Sequence, residues 1–299
     1  MRRMPHYKSL DRGPVDFTSK LRKEEGEALR IARRDVTTVP PTFPIKRAAE
    51  LMVSRNERRL VIAEPGTGKL KGVLRSRDVV DFLGGGERYK VIQIKFRGNF
   101  LSAVNEPVRT IAPERFAYAE EEMSLGEVIR LLLMEGVGGV PVVGKGLRVL
   151  GVISERDLIY RLPPSTGKKV GYYMSRHVVT IDPGETVLDA ARRMVGMGFR
   201  RLPVAREGRL LGIVTTMDIL RYLGRSEVFH RMGSHGVEDA MGVPVEEIMR
   251  RDVAVVGPDT DVGEAAALMR ERGFGGLPVV SGGRIEGIIT EHDMLRLLV

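Results

Sequence analysis

The sequence predicts an α/β protein assembled from four copies of one βαββα module, with the copies paired through their sheets. Three observations predict it. A seven-residue motif is written four times: "GVLRSRD" from Gly72, "GVISERD" from Gly151, "GIVTTMD" from Gly212 and "GIITEHD" from Gly287. Ahead of each copy lies an apolar strand, "RRLVIA" from Arg58, "GGVPVV" from Gly138, "RRLPVA" from Arg200 and "GGLPVV" from Gly275. A helix start also stands at a near-constant distance from each motif. Thr186 to Thr215 and Asp261 to Thr290 are each 29 residues, Ser124 to Ser154 is 30, and Pro44 to Arg75 is 31. The motif glycines themselves are 79, 61 and 75 residues apart, which fits whole modules on variable linkers better than a tight solenoid.

Residues 1–34 read as an N-terminal extension. Two arginines open it, but no apolar core follows, so it is not a secretory signal. Repeat one spans 35–84, with the amphipathic helix "PIKRAAELMVSR", the strand, a turn, the motif and a closing helix "DVVDFL". Its turn, "EPGTGK" at 64–69, resembles a phosphate loop. Ala63 and Leu70 stand where that loop needs Gly and Ser or Thr, so the segment is read as a hairpin turn. "GGGERYKVIQIKFRGN" from Gly84 joins repeats one and two. Its alternation at Val91, Ile92, Ile94 and Phe96 predicts a strand extending a sheet.

Repeat two spans 100–164; acidic "AEEEMS" forms a solvated loop into the helix that starts at Ser124. Repeat three spans 170–224, with Val187, Ala190, Ala191 and Met194 on one helix face. "FHRMGSHGVEDAMG" from Phe229 is a linker, and repeat four spans 242–299. Ser124 with Glu127, Thr186 with Asp189 and Asp261 with Glu264 have capping-box spacing; repeat one lacks such a pair. A lone unit buries too little apolar surface to stand alone, so the modules should pair.

Composition narrows the function. With no cysteine there is no disulfide, thiolate metal site or cysteine nucleophile. The five histidines lack zinc-binding spacing, and His292 has no serine partner for a hydrolytic triad. No apolar run approaches the ~20 residues of a membrane span, so a cytoplasmic protein without membrane attachment is expected. Asn and Gln are reduced to Asn56, Asn99, Asn105 and Gln93 while Arg and Glu abound, a composition that thermophiles favour. A net charge of +9 implies an anionic partner, nucleotide phosphate or nucleic acid. The latter is disfavoured because aromatics are 5 % of residues and tryptophan is absent, which leaves little for base stacking.

The Ser or Thr and the Asp of the motif allow two readings. Ser154-x-x-Asp157, Thr215-x-x-Asp218 and Thr290-x-x-Asp293 are capping boxes at strand-to-helix junctions, which alone could select those residues. The same junction offers unpaired N–H groups and the positive end of the helix dipole to a phosphate, and a carboxylate there can accept ribose hydroxyls.

The strand "FRRLPV" with "GIVTTMD", and "FGGLPV" with "GIITEHD", resemble the cystathionine-β-synthase (CBS) domain, and the chain resembles a stand-alone protein of four CBS repeats over residues 35 to 299. The resemblance implies that consecutive repeats pair through their sheets into two Bateman modules whose clefts hold AMP, ADP, ATP or S-adenosylmethionine, with no obligatory cofactor. It assigns Asp to ribose and Ser or Thr to ribose or phosphate, hence Thr215 with Asp218, Thr290 with Asp293, and Ser154 with Asp157. Repeat one departs from the pattern. Asp78 remains, but Arg75 replaces the hydroxyl and Val61 replaces the proline found at Pro141, so it should be the poorest site.

The residues before the strand alternate. Repeats one and three carry Arg58-Arg59 and Arg200-Arg201; repeats two and four carry Gly138-Gly139 and Gly275-Gly276. In the family this position faces the cleft and its basic residues hold phosphate, a role that suits the planar guanidinium fork. The alternative for Arg200 and Arg201 is a solvated strand edge. The expected protein is a non-enzymatic regulatory sensor of an adenosine ligand, able to form a homodimer through its Bateman modules and acting on an unknown protein partner. Its rivals are a nucleic-acid-binding protein and the regulatory subunit of a kinase-like complex. The module of repeats three and four, with both motifs intact, should bind better than the other.

Overall fold

The structure, a computed structural model, describes residues 26–225, 228 and 236–298. Four repeats are present in the order expected. Repeat one pairs Thr38–Val39 in parallel with Arg59–Ala63, which runs antiparallel to Leu70–Arg75; Ile45–Arg55 and Ser76–Val80 are its helices. Repeat two repeats this with Ala119–Glu120, Leu125–Glu135, Gly139–Val143, Val149–Ser154 and Glu155–Ile159. Repeats three and four keep the hairpins, Arg201–Arg206 with Arg209–Thr215 and Gly276–Ser281 with Arg284–Thr290. Their first strands shrink to single parallel bridges, Ile181 to Val204 and Val256 to Val279. The first helices of repeats three and four are Val187–Met197 and Val262–Arg272, and the second are Thr216–Leu223 and Glu291–Met294.

The EPGTGK segment is the hairpin turn expected, closed by Glu64 N to Lys69 O at 2.8 Å. The Gly84 segment is not a strand. Val91–Lys95 forms a helical turn, with Ile92 buried and Ile94 77 % exposed. Ile92 and Phe96, four apart, share the face that packs on repeat one, so the apolar residues serve a helical period rather than an alternating one. The linker segment "HRMGSH", 230–235, lies outside the described residues.

The capping pairs divide. Ser124 with Glu127 and Thr186 with Asp189 form reciprocal boxes. Asp261 does not pair with Glu264; it caps Gly263 N at 2.7 Å and also holds Thr166 N, Thr166 Oγ1 and Gly167 N at 2.7–3.0 Å. Its carboxylate is spent tying the linker from repeat two to the start of a helix in repeat four. Residues 27–33, read from the sequence as extension, pack on repeat two: Ala28 is buried in its core, Glu27 accepts from Leu125 N, and Arg33 bridges Val152.

Sheets join repeats within a module. Val149 N donates to Gly68 O and Ile285 N to Gly208 O, each at 3.0 Å, and Val61, Leu70, Val143 and Val152 form a small apolar cluster between repeats one and two. Helices join the modules to each other. One core runs from repeat one into repeat three, with Met52, Leu74 and Val79 sharing a cluster with Met194, Met217 and Leu220. The second runs from repeat two into repeat four, through Leu132, Ile153 and Leu158 to Met269, Leu277 and Met294. Buried hydroxyls of Ser76 and Thr216 meet at 2.9 Å on the first of these junctions.

The motif glycine has a tertiary reason. A Cβ at Gly151 would stand 2.7 Å from Ala32 Cβ, at Gly212 2.8 Å from Arg250 O, and at Gly287 2.5 Å from Met174 Sδ. In each case the segment preceding the paired repeat crosses the strand there, bridging Arg33 to Val152, Arg250 to Ile213 and Ser175 to Ile288. Gly72 meets only Ile62 of its own hairpin, at 3.5 Å. Repeat one therefore differs from the others in its backbone as well as in its side chains.

Candidate functional site

At all four strand-to-helix junctions the aspartate closes back on the residue three before it. Oδ2 of Asp157, Asp218 and Asp293 accepts the backbone N–H of Ser154, Thr215 and Thr290 at 2.8, 3.0 and 2.9 Å, and the hydroxyl of each at 2.6 Å. Asp78 Oδ2 accepts Arg75 N at 2.8 Å. The capping reading thus accounts for one carboxylate oxygen in every repeat.

The other oxygen distinguishes repeats one, two and three. Asp78 Oδ1 accepts Arg75 Nη2 at 2.7 Å, and Arg88 Nη1 stands 3.7 Å away. Asp218 Oδ1 accepts both Arg221 Nη1 and Arg250 Nε at 2.8 Å. In these two repeats guanidinium groups of the chain itself cover the carboxylate. Around Asp157 the closure is loose: among the described residues only Arg33 Nε comes within ion-pair distance of Oδ1, at 3.5 Å, from a side chain 54 % exposed.

The paired arginines are not a solvated edge. Arg59 lies against Gly139 and Arg201 against Gly276, so close that a Cβ on either glycine would collide with the guanidinium. These contacts stay within a module. Arg200 and Arg58 cross between modules: Arg200 lies against Gly138 of repeat two and Arg58 against Gly275 of repeat four. Glycine in one repeat makes room for arginine from another. Gly139 is the register partner of Ser154 and Gly276 that of Thr290, so the arginines sit beside the motifs of repeats two and four.

Two carboxylates share this centre, Glu155 and Glu291, which are 1 % and 3 % exposed. Glu155 accepts Arg200 Nη2 at 3.2 Å and meets His292 Nδ1 at 2.6 Å. Glu291 accepts Arg156 Nε at 3.1 Å and lies 3.6 Å from Arg58. Burial alone would raise the Glu155 pKa, but Arg200, His292 and Arg59 hold it down at about 2. Arg59 and Arg201 have no carboxylate in ion-pair contact among the described residues, and Arg201 Nη1 is buried without a hydrogen bond. Burial, then neighbouring arginines, lower their pKa values to about 10 and about 9. Among the described residues the centre therefore holds more enclosed positive charge than its two carboxylates, Glu155 and Glu291, balance, and an anion would relieve the excess.

The model of the CBS domain matches residues 28–85, 108–164, 170–225 and 245–299. The chain belongs to the CBS-domain family. MJ1225 of Methanocaldococcus jannaschii is 39 % identical over 272 residues, 90 % of this chain and 97 % of its own. Its crystal structure superposes with a TM-score of 0.87 over 91 % of this chain and 99 % of that one, and describes MJ1225 as a proposed archaeal homologue of γ-AMPK. A 33.4 kDa protein from the ribosomal RNA operon of Thermofilum pendens is 33 % identical over 90 % of this chain and 92 % of its own. These relatives come from thermophilic archaea, as the composition suggests.

The CBS repeats thus place Arg59 and Arg200 against Gly139 and Gly138, beside Ser154, and Arg201 and Arg58 against Gly276 and Gly275, beside Thr290, with Arg200 also in the field of Asp293. They set Thr215 and Asp218 apart with Arg221 and Arg250, and Asp78 with Arg75 and Arg88. Sequence reasoning missed Glu155, Arg156 and Glu291, which it treated as free positions of the motif, and weighed His292 only as a triad histidine without a serine. The signal was there: repeats two and four write Glu after the Ser or Thr, where one and three write Ser76 and Thr216. A depression of about 480 Å³ at the outer end of the first hairpin, between Pro65–Gly68, Arg34 and Arg148, contains none of the motif residues. Among the described residues no helix is long and apolar enough to cross a membrane.

Proposed function

We propose that this CBS protein is a regulatory sensor that binds an adenosine nucleotide in two of its four clefts, one at Ser154 and Asp157 and one at Thr290 and Asp293, with the phosphates directed at the central arginines. The observation that carries the reading is the pair of guanidiniums, Arg59 and Arg201, that have no carboxylate within ion-pair distance among the described residues, Arg201 Nη1 being buried without a hydrogen bond, and that stand beside those two motifs. Phosphate accepts the planar fork bidentately, and in an enclosed site such bonds are strong. A sulfonium ligand such as S-adenosylmethionine would bring positive charge toward positive charge, so AMP, ADP or ATP fits better. At Asp218 and Asp78 the chain's own arginines take the place a ribose would need, and those clefts remain empty.

Each filled cleft would be gripped from both modules, by Arg59 and Arg200 at repeat two and by Arg201 and Arg58 at repeat four. A ligand bound this way favours one relative arrangement of the modules over another, and this difference in affinity is what a sensor requires. The likeness of MJ1225 to γ-AMPK, if it extends to this chain, would make the output a kinase-like partner without altering the ligand.

Calorimetric titration of the full chain with AMP should give two sites per chain, and AMP at a hundredfold excess over Kd should add about 2.7 kcal/mol of stability for each site filled. No binding of AMP, ADP or ATP would refute the reading. A thermal shift produced only by RNA, falling steeply with salt, would favour the nucleic-acid alternative.

A further inference from the structure

The two arginine-lined clefts are related by the repetition of the chain, but their floors differ in one residue. The motifs read Ser154-Glu-Arg-Asp157 and Thr290-Glu-His-Asp293, so Arg156 and His292 are counterparts. Each reaches across the module junction to the other repeat's glutamate, Arg156 to Glu291 at 3.1 Å and His292 to Glu155 at 2.6 Å. Glu291 therefore has a permanent cation, which leaves Arg58 at the longer distance of 3.6 Å. Glu155 has an imidazole, whose charge depends on pH, and Arg200 is bound to it at 3.2 Å.

We propose that His292 is a positioning residue for phosphate in the Ser154–Asp157 cleft, setting its affinity by deciding whether Arg200 is committed to Glu155 or available to the ligand. The proposal rests on the nucleotide reading above. The hydrogen bond from Nδ1 to Glu155 survives in both states of the ring, because a neutral imidazole can carry its proton on that nitrogen. Ionisation thus adds charge without rearranging the contact. With the ring charged, Glu155 is neutralised locally and Arg200 can turn its fork to a phosphate. With the ring neutral, Arg200 is the remaining cation within ion-pair distance, among the described residues, of a carboxylate that is 1 % exposed, and leaving it would strand much of that charge.

The other charged groups around the ring have fixed charge. Glu155 on repeat two stays ionised far below neutrality. Arg200 on repeat three and Arg59 on repeat one face Glu155. Glu291, held by Arg156 and Arg58, and Asp293 flank the ring on its own helix. Imidazole is the one side-chain type in this group whose charge ordinarily changes between pH 5 and 8. Affinity at the first cleft should therefore rise as pH falls through that range, while the second cleft, built on Arg156, should not respond.

The test is calorimetry of the full chain with AMP at about pH 5.5 and pH 8, for wild type, His292→Arg and His292→Gln. The ligand's own phosphate titration is common to all three, so ratios between proteins at one pH isolate the side chain. Wild type should match His292→Arg at low pH and lose roughly tenfold against it at one of two sites at high pH, the scale of one hydrogen bond to a charged group. His292→Gln should be weak at that site at both values. If the ratio of wild type to His292→Arg is the same at both pH values, the proposal fails and the nucleotide reading stands. Absence of AMP binding in wild type at either pH overturns both. Should the arginine variant prove unstable in thermal denaturation, the glutamine variant decides alone, because a ratio of wild type to His292→Gln that does not change with pH is equally fatal.

Discussion

At the scale of single residues, one motif carries a cap and a binding group on the same carboxylate, and substitution can separate them. Asn at this third helical position keeps an amide oxygen that can accept the N–H of the cap residue, but it loses the charge and one acceptor oxygen. Asp157→Asn should cost the ligand-free chain under about 1 kcal/mol and weaken AMP binding by tenfold or more at one of the two sites, read by chemical denaturation and calorimetry on the same preparation. Asp78→Asn should do the reverse. Asp78 is buried and balances Arg75 and Arg88, so its loss should destabilise by about 1–3 kcal/mol while affinity barely changes. Affinity lost at Asp78 but retained at Asp157 would contradict the assignment of clefts. Gly276→Ala makes a second residue-level test. Its Cβ would meet the flexible end of Arg201 first, with Ile289 O next at 3.1 Å. The guanidinium should swing aside, and AMP should bind more weakly at one of the two sites with only a modest change in melting temperature.

At the scale of elements, the repeats are stabilised by caps placed where one element hands the chain to the next, and Asp261 holds two elements at once. Its five hydrogen bonds, offset in part by desolvation, lower its pKa from 3.8 to about 2. A carboxylate whose pKa is depressed by folding contributes stability in full above its unfolded value and loses it as pH falls through its folded value. Asp261→Ala should thus cost roughly 1–2 kcal/mol at neutral pH, the scale of a strong cap, and should flatten the acid limb of stability between about pH 4 and pH 2. An unchanged acid limb in the variant would show that the linker at Thr166 and Gly167 is held by something else.

At the scale of the whole molecule, pairing has two levels, sheets within a module and helices between modules. The helical faces with which a module could dimerise with another chain are occupied by the chain's other module. The distribution of arginine also alters the expectation that repeats three and four bind better alone, because each arginine-lined cleft takes one guanidinium from the opposite module. Expressed separately, residues 26–165 and 166–299 should each expose half of two apolar cores, self-associate on gel filtration, and bind AMP poorly. Mixing them should restore a one-to-one complex and AMP affinity. Tight AMP binding by either half as a monomer would disprove this.

The sequence by itself determined the repeats, their order of elements and the motif that marks each one. Those properties are local: apolar spacing, turn residues and caps are written within a few dozen residues of each other and recur four times, so chance is averaged out. It also pointed to Arg200 and Arg201 through the alternation with glycine. It misread Val91–Lys95 as a strand because a short apolar run satisfies both periods until a neighbour selects a face. Only the tertiary structure decided which arginine stands beside which motif, why Gly151, Gly212 and Gly287 must be glycine, and that Asp218 is covered by Arg250. Each of these depends on a segment 30 or more residues away crossing the strand or reaching over a module junction. Burial then turns Glu155, Glu291 and His292 from unremarkable motif positions into the floor of a site, since a charge that water would screen on a lone repeat must find its partner in another.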